Sequence, residues 1–358
     1  MRRVFHIITH LDLGGAEKVA VSIASSKLGE YQYHLVEIVR GEGTYSVEFV
    51  NILNQRGLRY HRSYVKNNKL GIILFPFWFF LLFLWYRPRI IHTHTEVPDL
   101  SVYMFYRLFG WMFSGTKYIR TIHNTVLWSQ WGKIGNLVEI FFQKHHSNIA
   151  ISKSVQQCYA NRYGEVPPII YNGLEEVKQK PFEEIDVRKT NVLFAGRLEY
   201  QKGVDELLAV IDRCTKLSNL VFWIVGTGSM KEKVLSEIRG SDNVHYFDKV
   251  YGLSSYISSF DFVFMPSNFE GLALMSIEAS YAKVPTIINS CPGLEETLPK
   301  DWPLKVESNS VDDYVKIFVS IDIYDRHTLG QIAYEYARRN FSMGKMQREY
   351  ESFYSKLK

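Results

Sequence analysis

The sequence predicts an α/β fold with parallel sheets, organised as two domains. Short apolar strands alternate with amphipathic helices along the chain, the pattern of successive βαβ units. At 358 residues the chain exceeds what one hydrophobic core usually accommodates. A polar, Pro-containing stretch at 173–190, with Glu175, Glu176, Lys178, Lys180, Pro181, Glu183 and Glu184, parts the strands into two series and is the expected linker.

The chain opens on Met1-Arg-Arg-Val-Phe-His-Ile-Ile-Thr-His10. A Gly-Gly loop and a helix follow at once, so this reads as a first strand over 3–9 and not as a signal peptide. The loop Leu13-Gly14-Gly15-Ala16-Glu17 opens a helix over 16–28. Its glycines let the backbone approach a ligand closely, and a helix start favours an anion. Further strands are expected over 34–39, 90–95, 118–123, 149–152 and 169–171, the last running into Asn172-Gly173. The second series begins with Asn191-Val-Leu-Phe-Ala195 and continues through Ile224-Val-Gly226-Thr-Gly228, Val244 to Val250 and the buried strand Asp261-Phe-Val-Phe-Met265. A helix is expected over 272–283. A last one, from about Ser342, carries Met346, Tyr350, Phe353 and Leu357 at helical spacing. No tandem repeat or low-complexity tract is present.

The run LGIILFPFWFFLLFLWY at 70–86 is the most unusual stretch by composition. Its length gives roughly 25 Å as a helix, short of the ~30 Å hydrocarbon core, and Pro76 is expected to interrupt it. A span would also put the next strand across a membrane from its own sheet, so a transmembrane helix is rejected. Two readings remain: a packing helix, or an apolar surface that dips into a lipid interface. The flanking Lys66, Lys69, Arg87 and Arg89, with Phe77, Trp78, Phe79, Phe80, Phe83, Trp85 and Tyr86, favour membrane contact. On that reading, serine at Phe79, Phe80 and Phe83 releases the protein from liposomes and leaves it folded.

A net charge of +5 and a pI near 8.8 suit an anionic ligand or membrane surface and are too weak to indicate nucleic acid. Cys158, Cys214 and Cys291 are scattered, which gives no disulfide framework and no thiolate metal site and fits a reducing cytosol. His92 and His94 alternate on one strand face. With no carboxylate or cysteine cluster nearby, a metal there is not expected.

The most informative residues are Glu270 and Glu278, in Ser267-Asn-Phe-Glu-Gly-Leu-Ala-Leu-Met-Ser-Ile-Glu-Ala279. Glu270 falls in a strand-to-helix loop and Glu278 about two turns into the helix, roughly 9 to 12 Å apart along one axis. That is about the reach of an extended sugar diphosphate, and the helix N-terminus between them attracts phosphate. As isolated residues, Glu270 could merely complement the helix dipole and Glu278 be a solvated acid. Leu274, Ile277 and Tyr281 surround Glu278, while Met275, Ala279 and Ala282 make the other side apolar, and an acid on so buried a helix needs a partner. In Ala195-Gly-Arg197-Leu-Glu-Tyr-Gln-Lys202-Gly203 a buried strand ends in a loop with two cations, in isolation either a basic surface loop or a pair able to oppose negative charge on a diphosphate.

Met265-Pro-Ser-Asn-Phe-Glu-Gly-Leu-Ala-Leu-Met-Ser-Ile-Glu-Ala279, with seven residues between its glutamates, resembles the signature of the retaining glycosyltransferases of family four, the group 1 glycosyltransferases of bacterial surface-polysaccharide type. The resemblance extends over most of the chain. It implies a GT-B fold of two doubly wound Rossmann-like domains facing a central cleft: an acceptor-side domain at 1–172, a linker at 173–190, and a nucleotide-sugar domain at 191–340. The segment 341–358 would pack back on the first domain. It implies that Glu270 grips sugar hydroxyls, that backbone N–H groups of Gly271, Leu272 and Ala273 meet sugar or phosphate, and that Arg197 and Lys202 stabilise the leaving diphosphate. Glu278 would hold ribose, His123 would orient the sugar, and the Gly14-Gly15 loop would lie near donor phosphates and acceptor. Asn172-Gly173 resembles the family's interdomain turn and Gly226 its nucleotide-lining turn, with the backbone near Val250 at the base. Asp248 and Lys283 stand where the family usually has glycine, and Ser290-Cys-Pro-Gly293 is a variant of a double-glycine loop.

The reaction so implied moves a hexosyl group from a nucleotide sugar, a uridine diphosphate sugar by preference, to a glycan or polyprenyl-diphosphate-linked acceptor with retained configuration. The setting would be capsule, exopolysaccharide or O-antigen assembly at the inner face of a bacterial plasma membrane. No Asp-x-Asp pair occurs, so no cofactor or metal is expected. The alternatives are a nucleotide-sugar epimerase of the same fold and a non-catalytic sugar-nucleotide-binding subunit.

Overall fold

The computed structural model describes residues 1–357 except Leu13, Gln130, Thr215, Lys216 and Ser218. The chain divides into two compact units, Met1–Gly173 with the segment from Met343 onward, and Leu174–Ser342.

The first unit runs β1 (Arg2–Ile8), α1 (Gly15–Ala24), β2 (Tyr31–Glu37), α2 (Thr44–Gln55), β3 (Arg59–His61), α3 (Asn68–Tyr86), β4 (Ile90–His94), α4 (Glu96–Phe109), β5 (Lys117–Ile122), α5 (Gly132–Lys144), β6 (Asn148–Ala150) and α6 (Lys153–Tyr163). Its six strands are parallel in the order β3-β2-β1-β4-β5-β6. Val4, Phe5, Ile7, Leu35, Ile91 and Ile119 are fully buried, as strands covered on both faces require. Side chains mark the helix starts. Asn67 Oδ1 accepts from the Leu70 N–H at 3.2 Å, and Ser152 Oγ from the Val155 N–H at 3.1 Å.

Helix α3 runs unbroken through Pro76, against the expected interruption. Proline removes one backbone hydrogen bond, but Phe75, Phe79 and Phe83 on either side of it lie in the core and hold both halves in line. Phe75 stacks on Phe79 with centroids 4.8 Å apart, Phe79 meets Phe105 of α4 at 4.9 Å, and Phe83 meets Phe113 at 4.1 Å. Phe79 and Phe83 are thus core residues, and serine there would unfold the unit instead of only freeing it from lipid. The opposite face leaves Leu70, Ile73, Leu74, Phe77, Leu81, Leu84 and Trp85 exposed. By length and composition alone, α3 is the one described helix able to cross a membrane.

The second unit runs β7 (Thr190–Ala195), α7 (Val204–Cys214), β8 (Leu220–Val225), α8 (Lys231–Glu237), β9 (Val244–Phe247), β10 (Phe262–Met265), α9 (Leu274–Tyr281), β11 (Thr286–Asn289), β12 (Lys305–Val306), α10 (Val311–Val319) and α11 (Arg326–Asn340). Its parallel strands lie in the order β12-β11-β10-β7-β8-β9. Residues 174–189, expected as a linker, belong to this unit. The Lys180 N–H donates to Ser255 O at 2.7 Å, and Phe182 packs against Trp223, because Phe182 and Ile185 have apolar surface to bury.

Helix α12 (Met343–Lys356) returns to the first unit. Met346, Tyr350 and Tyr354 enter its core. Gln347 Nε2 donates to Ser22 O at 2.6 Å, and Glu351 Oε1 accepts from Ser26 Oγ at 2.6 Å and Tyr33 OH at 2.9 Å.

Candidate active site

In the second unit the chain builds the sheet outward from β7 in one direction and from β10 in the other, so these neighbouring strands mark the reversal of strand order. Open parallel sheets bind ligands outside the carboxyl ends of strands at such a point. The loops leaving β7 and β10 carry Arg197 with Lys202, and Glu270.

Glu270 is 4% exposed. Its Oε1 accepts from Lys202 Nζ at 2.5 Å and from Ser267 Oγ at 2.9 Å. Backbone fit forces the two loops together. Gly203 has φ +68°, and a Cβ there would lie 1.7 Å from Pro266 O. Gly293 has φ +80°, and a Cβ there would lie 2.2 Å from Glu270 O. Amides complete the stitching. Asn268 Nδ2 donates to Tyr200 O at 2.8 Å, Asn289 Nδ2 to Ser267 O at 2.9 Å, and Asn309 Nδ2 to Pro266 O at 2.8 Å. Arg197 is exposed, and its Nη2 donates to Gln201 Oε1 at 3.1 Å. Gln201 Nε2 in turn donates to Phe269 O at 3.2 Å. One surface of this unit therefore brings Arg197, Lys202 and Glu270 together. Burial pushes the neighbouring Cys291 thiol up to about 12, and the charges of Glu270 and Glu295 reinforce the shift against Lys202.

Two expectations at α9 need correction. The helix begins at Leu274 and not at Leu272. The Ala273 N–H already donates to Gly293 O at 2.9 Å, so it is not available to a ligand in this arrangement. Glu278 is half-buried on α9, among the buried Ile277, Ala279 and Tyr281. Gly226 directly follows β8, with its N–H on Phe247 O and its carbonyl accepting from Tyr246 OH, both at 2.9 Å. Val250 is half-buried against the core. Asp248, at a glycine position of the family, pairs with Lys231 at 2.7 Å, and that hydrogen-bonded ammonium holds its carboxyl below the ordinary value.

In the first unit, Leu13 lies outside the described residues. Gly14 precedes α1 and Gly15 begins it. Buried Glu37 steadies the loop's approach, accepting from the Leu11 N–H at 2.9 Å. Glu17 packs so close that a Cβ on Gly14 would meet its Oε2 at 2.0 Å, and burial raises its carboxyl above the ordinary value. With Asp12 beside it, this helix start is less attractive to phosphate than its glycines suggest. Asn172 is buried, with no partner for its Oδ1 among the described residues, and the Gly173 N–H donates to Met346 Sδ at 3.1 Å.

His123 follows β5 by one residue and is half-buried. Behind it His6 Nδ1 lies 2.9 Å from His94 Nε2, and His94 Nδ1 lies 3.3 Å from His123 Nε2. His92 is held by Tyr354 OH and Thr121 Oγ1, each at 2.7 Å. Burial pushes His6 down to about 3 and His123 to about 4, with His92 and His94 well below the usual imidazole range. Candidate metal-ligating atoms of His6, His92 and His94 lie within 4.8 Å of one another. His6 was missed in sequence because it comes from β1, while the register pairs it with His92.

The model of Glycosyl transferases group 1 matches residues 189–321, and that of Glycosyltransferase Family 4 matches residues 13–177. An uncharacterized protein in the cps region of Klebsiella pneumoniae is 30% identical over 51% of this chain, which spans about half that relative's length (50%). The O-antigen biosynthesis glycosyltransferase WbnH of Escherichia coli is 23% identical over 91% of this chain and 92% of its own. Anabaena HepE, solved with UDP and glucose, superposes with a TM-score of 0.79 at 14% identity, covering 99% of this chain and 100% of the other. At that identity the superposition establishes a common fold.

Proposed function

From the premise that this chain belongs to the group 1, family-four glycosyltransferases with the GT-B fold, we propose that it moves a hexosyl group from a UDP sugar to a glycan or lipid-linked glycan, with retained configuration and without a metal. The observation that carries this reading is the meeting of Arg197, Lys202 and buried Glu270 at the strand-order reversal of the second unit. As the bond to the sugar breaks, charge builds on the diphosphate. Arg197 and Lys202 oppose it, with Lys202 exchanging part of its hold on Glu270 for phosphate oxygens. Glu270 and the Gly271 and Leu272 backbone take the sugar hydroxyls, Glu278 the ribose, and Gly226 and Val250 the nucleotide. On the first unit His123 takes the sugar. The Gly14–Gly15 loop, with Asp12 and Glu17, suits acceptor hydroxyls better than phosphate. Asn172 supplies an unpaired carbonyl.

A thermal-shift screen across nucleotide sugars tests the donor, because a ligand of the folded state raises the melting temperature in proportion to its affinity. Stabilisation by UDP sugars and turnover only with an acceptor present are expected. Conversion of donor alone would mean an epimerase, and binding without turnover across mixed lipid-linked acceptors a non-catalytic subunit. Activity is expected to persist in excess chelator, and its full loss would remove the cation-pair mechanism.

The outer face of α3 supports peripheral membrane contact. Trp85 and, beyond α4, Trp111 are each 81% exposed, and Phe77, Leu81, Leu108 and Met112 are exposed as well. Lys69, Arg87 and Arg89, also exposed, suit an anionic surface.

A further inference from the structure

We infer that His94 is a positioning residue: with His6 as its closed end, the imidazole chain fixes His123 as the Nδ1–H tautomer, so that His123 offers a proton to an oxygen of the ligand. This rests on the reading that His123 meets the donor sugar.

The sheet register builds the chain. His6 of β1 pairs with His92 of β4, His94 lies two residues on along the same face, and His123 leaves β5, which pairs with β4. The nitrogens meet head to tail at 2.9 Å and 3.3 Å. A neutral imidazole has one donor nitrogen and one acceptor. With both contacts made, only two arrangements exist. Either every ring carries its proton on Nδ1, or every ring carries it on Nε2.

The two arrangements differ at the ends. His6 Nε2 is buried, with no hydrogen-bond partner among the described residues. Protons on Nε2 would leave an orphaned N–H there, whereas protons on Nδ1 leave a bare lone pair. Among buried backbone groups an orphaned N–H is rarer than an under-satisfied acceptor, and by the same preference the chain settles with Nδ1 protonated. His6 donates to His94, His94 donates to His123, and His123 Nδ1–H is left at the far end of the chain. Burial keeps the rings neutral, and His92, occupied by Tyr354 and Thr121, cannot divert the chain. The ligand atom facing His123 must then accept a hydrogen bond.

Ring-nitrogen NMR of the 15N-histidine-labelled full chain at pH 7 tests this without any ligand. Expected are protonated Nδ1 and bare Nε2 on His6, His94 and His123. A bare Nδ1 on His123, or a charged ring, overturns the proposal. His94→Phe should free His123 to take the Nε2–H form, while His94→Asn, whose amide can still donate, should restore Nδ1–H. Thermal melts verify that both variants fold. With UDP-glucose as probe, His94→Phe should weaken binding about tenfold and His94→Asn recover most of it. A tautomer switch with unchanged UDP-glucose binding keeps the chain but removes His123 from the sugar, which separates the two readings.

Discussion

Arg197 and Lys202 leave the same β7 loop yet do different work, and substitution should separate them. Lys202 compensates a carboxylate almost wholly removed from water, so Lys202→Ala leaves the buried Glu270 without its cation. The change should cost about 2 kcal/mol of stability and lower the transfer rate about 10²- to 10³-fold. Arg197 is exposed, so Arg197→Ala should move stability by no more than about 0.5 kcal/mol while lowering the rate comparably. Thermal melts and single-turnover rates check both, and an unchanged rate in Arg197→Ala would take Arg197 off the diphosphate. These residues were legible because each lies one loop away from an apolar strand. Asn289, Asn309 and Gln201, which bind the loops together, were not. Nothing local distinguishes a bridging amide from an ordinary surface one, although a polar Asn289 closing the apolar β11 was a usable hint.

Helix α3 shows where pattern stops informing. A segment apolar all the way round has no amphipathic stripe, so sequence gives its existence but not which side faces the core. Packing decides it, with Phe75, Phe79 and Phe83 turned inward and Leu81 and Trp85 outward. Phe79→Ser should therefore cost about 3 to 5 kcal/mol and behave as a folding mutant. Phe77→Ser with Leu81→Ser and Trp85→Ser should leave the melting temperature nearly unchanged and reduce sedimentation with anionic liposomes. Equal sedimentation of this triple variant and the parent would place the membrane contact elsewhere or nowhere.

Across the whole molecule, the buried imidazoles set the response to acid. His6 and His34 fall to about 3 and His123 to about 4, against about 6.5 when unfolded. The unfolded chain binds more protons between these values, so their contribution is complete above about pH 6.5 and is lost as pH falls toward 4. Asp99, raised to about 7 by burial against the opposing Arg120, works the other way, but it is one group among several histidines. The melting temperature should drop from pH 6.5 to pH 4.5, and a flat profile would mean that the rings take up protons as readily in the fold as in the unfolded chain. Removing residues 343–358 should strip Tyr350 and Tyr354 from His92 and Thr121 and abolish the cooperative melting of the first unit while sparing the second. The two-unit α/β plan was readable from strand rhythm alone, whereas the histidine chain joins residues 88 positions apart and becomes visible only once the sheet order is known.

Because α12 completes the core begun by β1, the ribosome must translate past Tyr354 before the earliest strands can close over their apolar interior. The later half can mature first, inverting the usual order in which nascent domains settle. The opening half must wait, partly assembled, for a helix still to be translated.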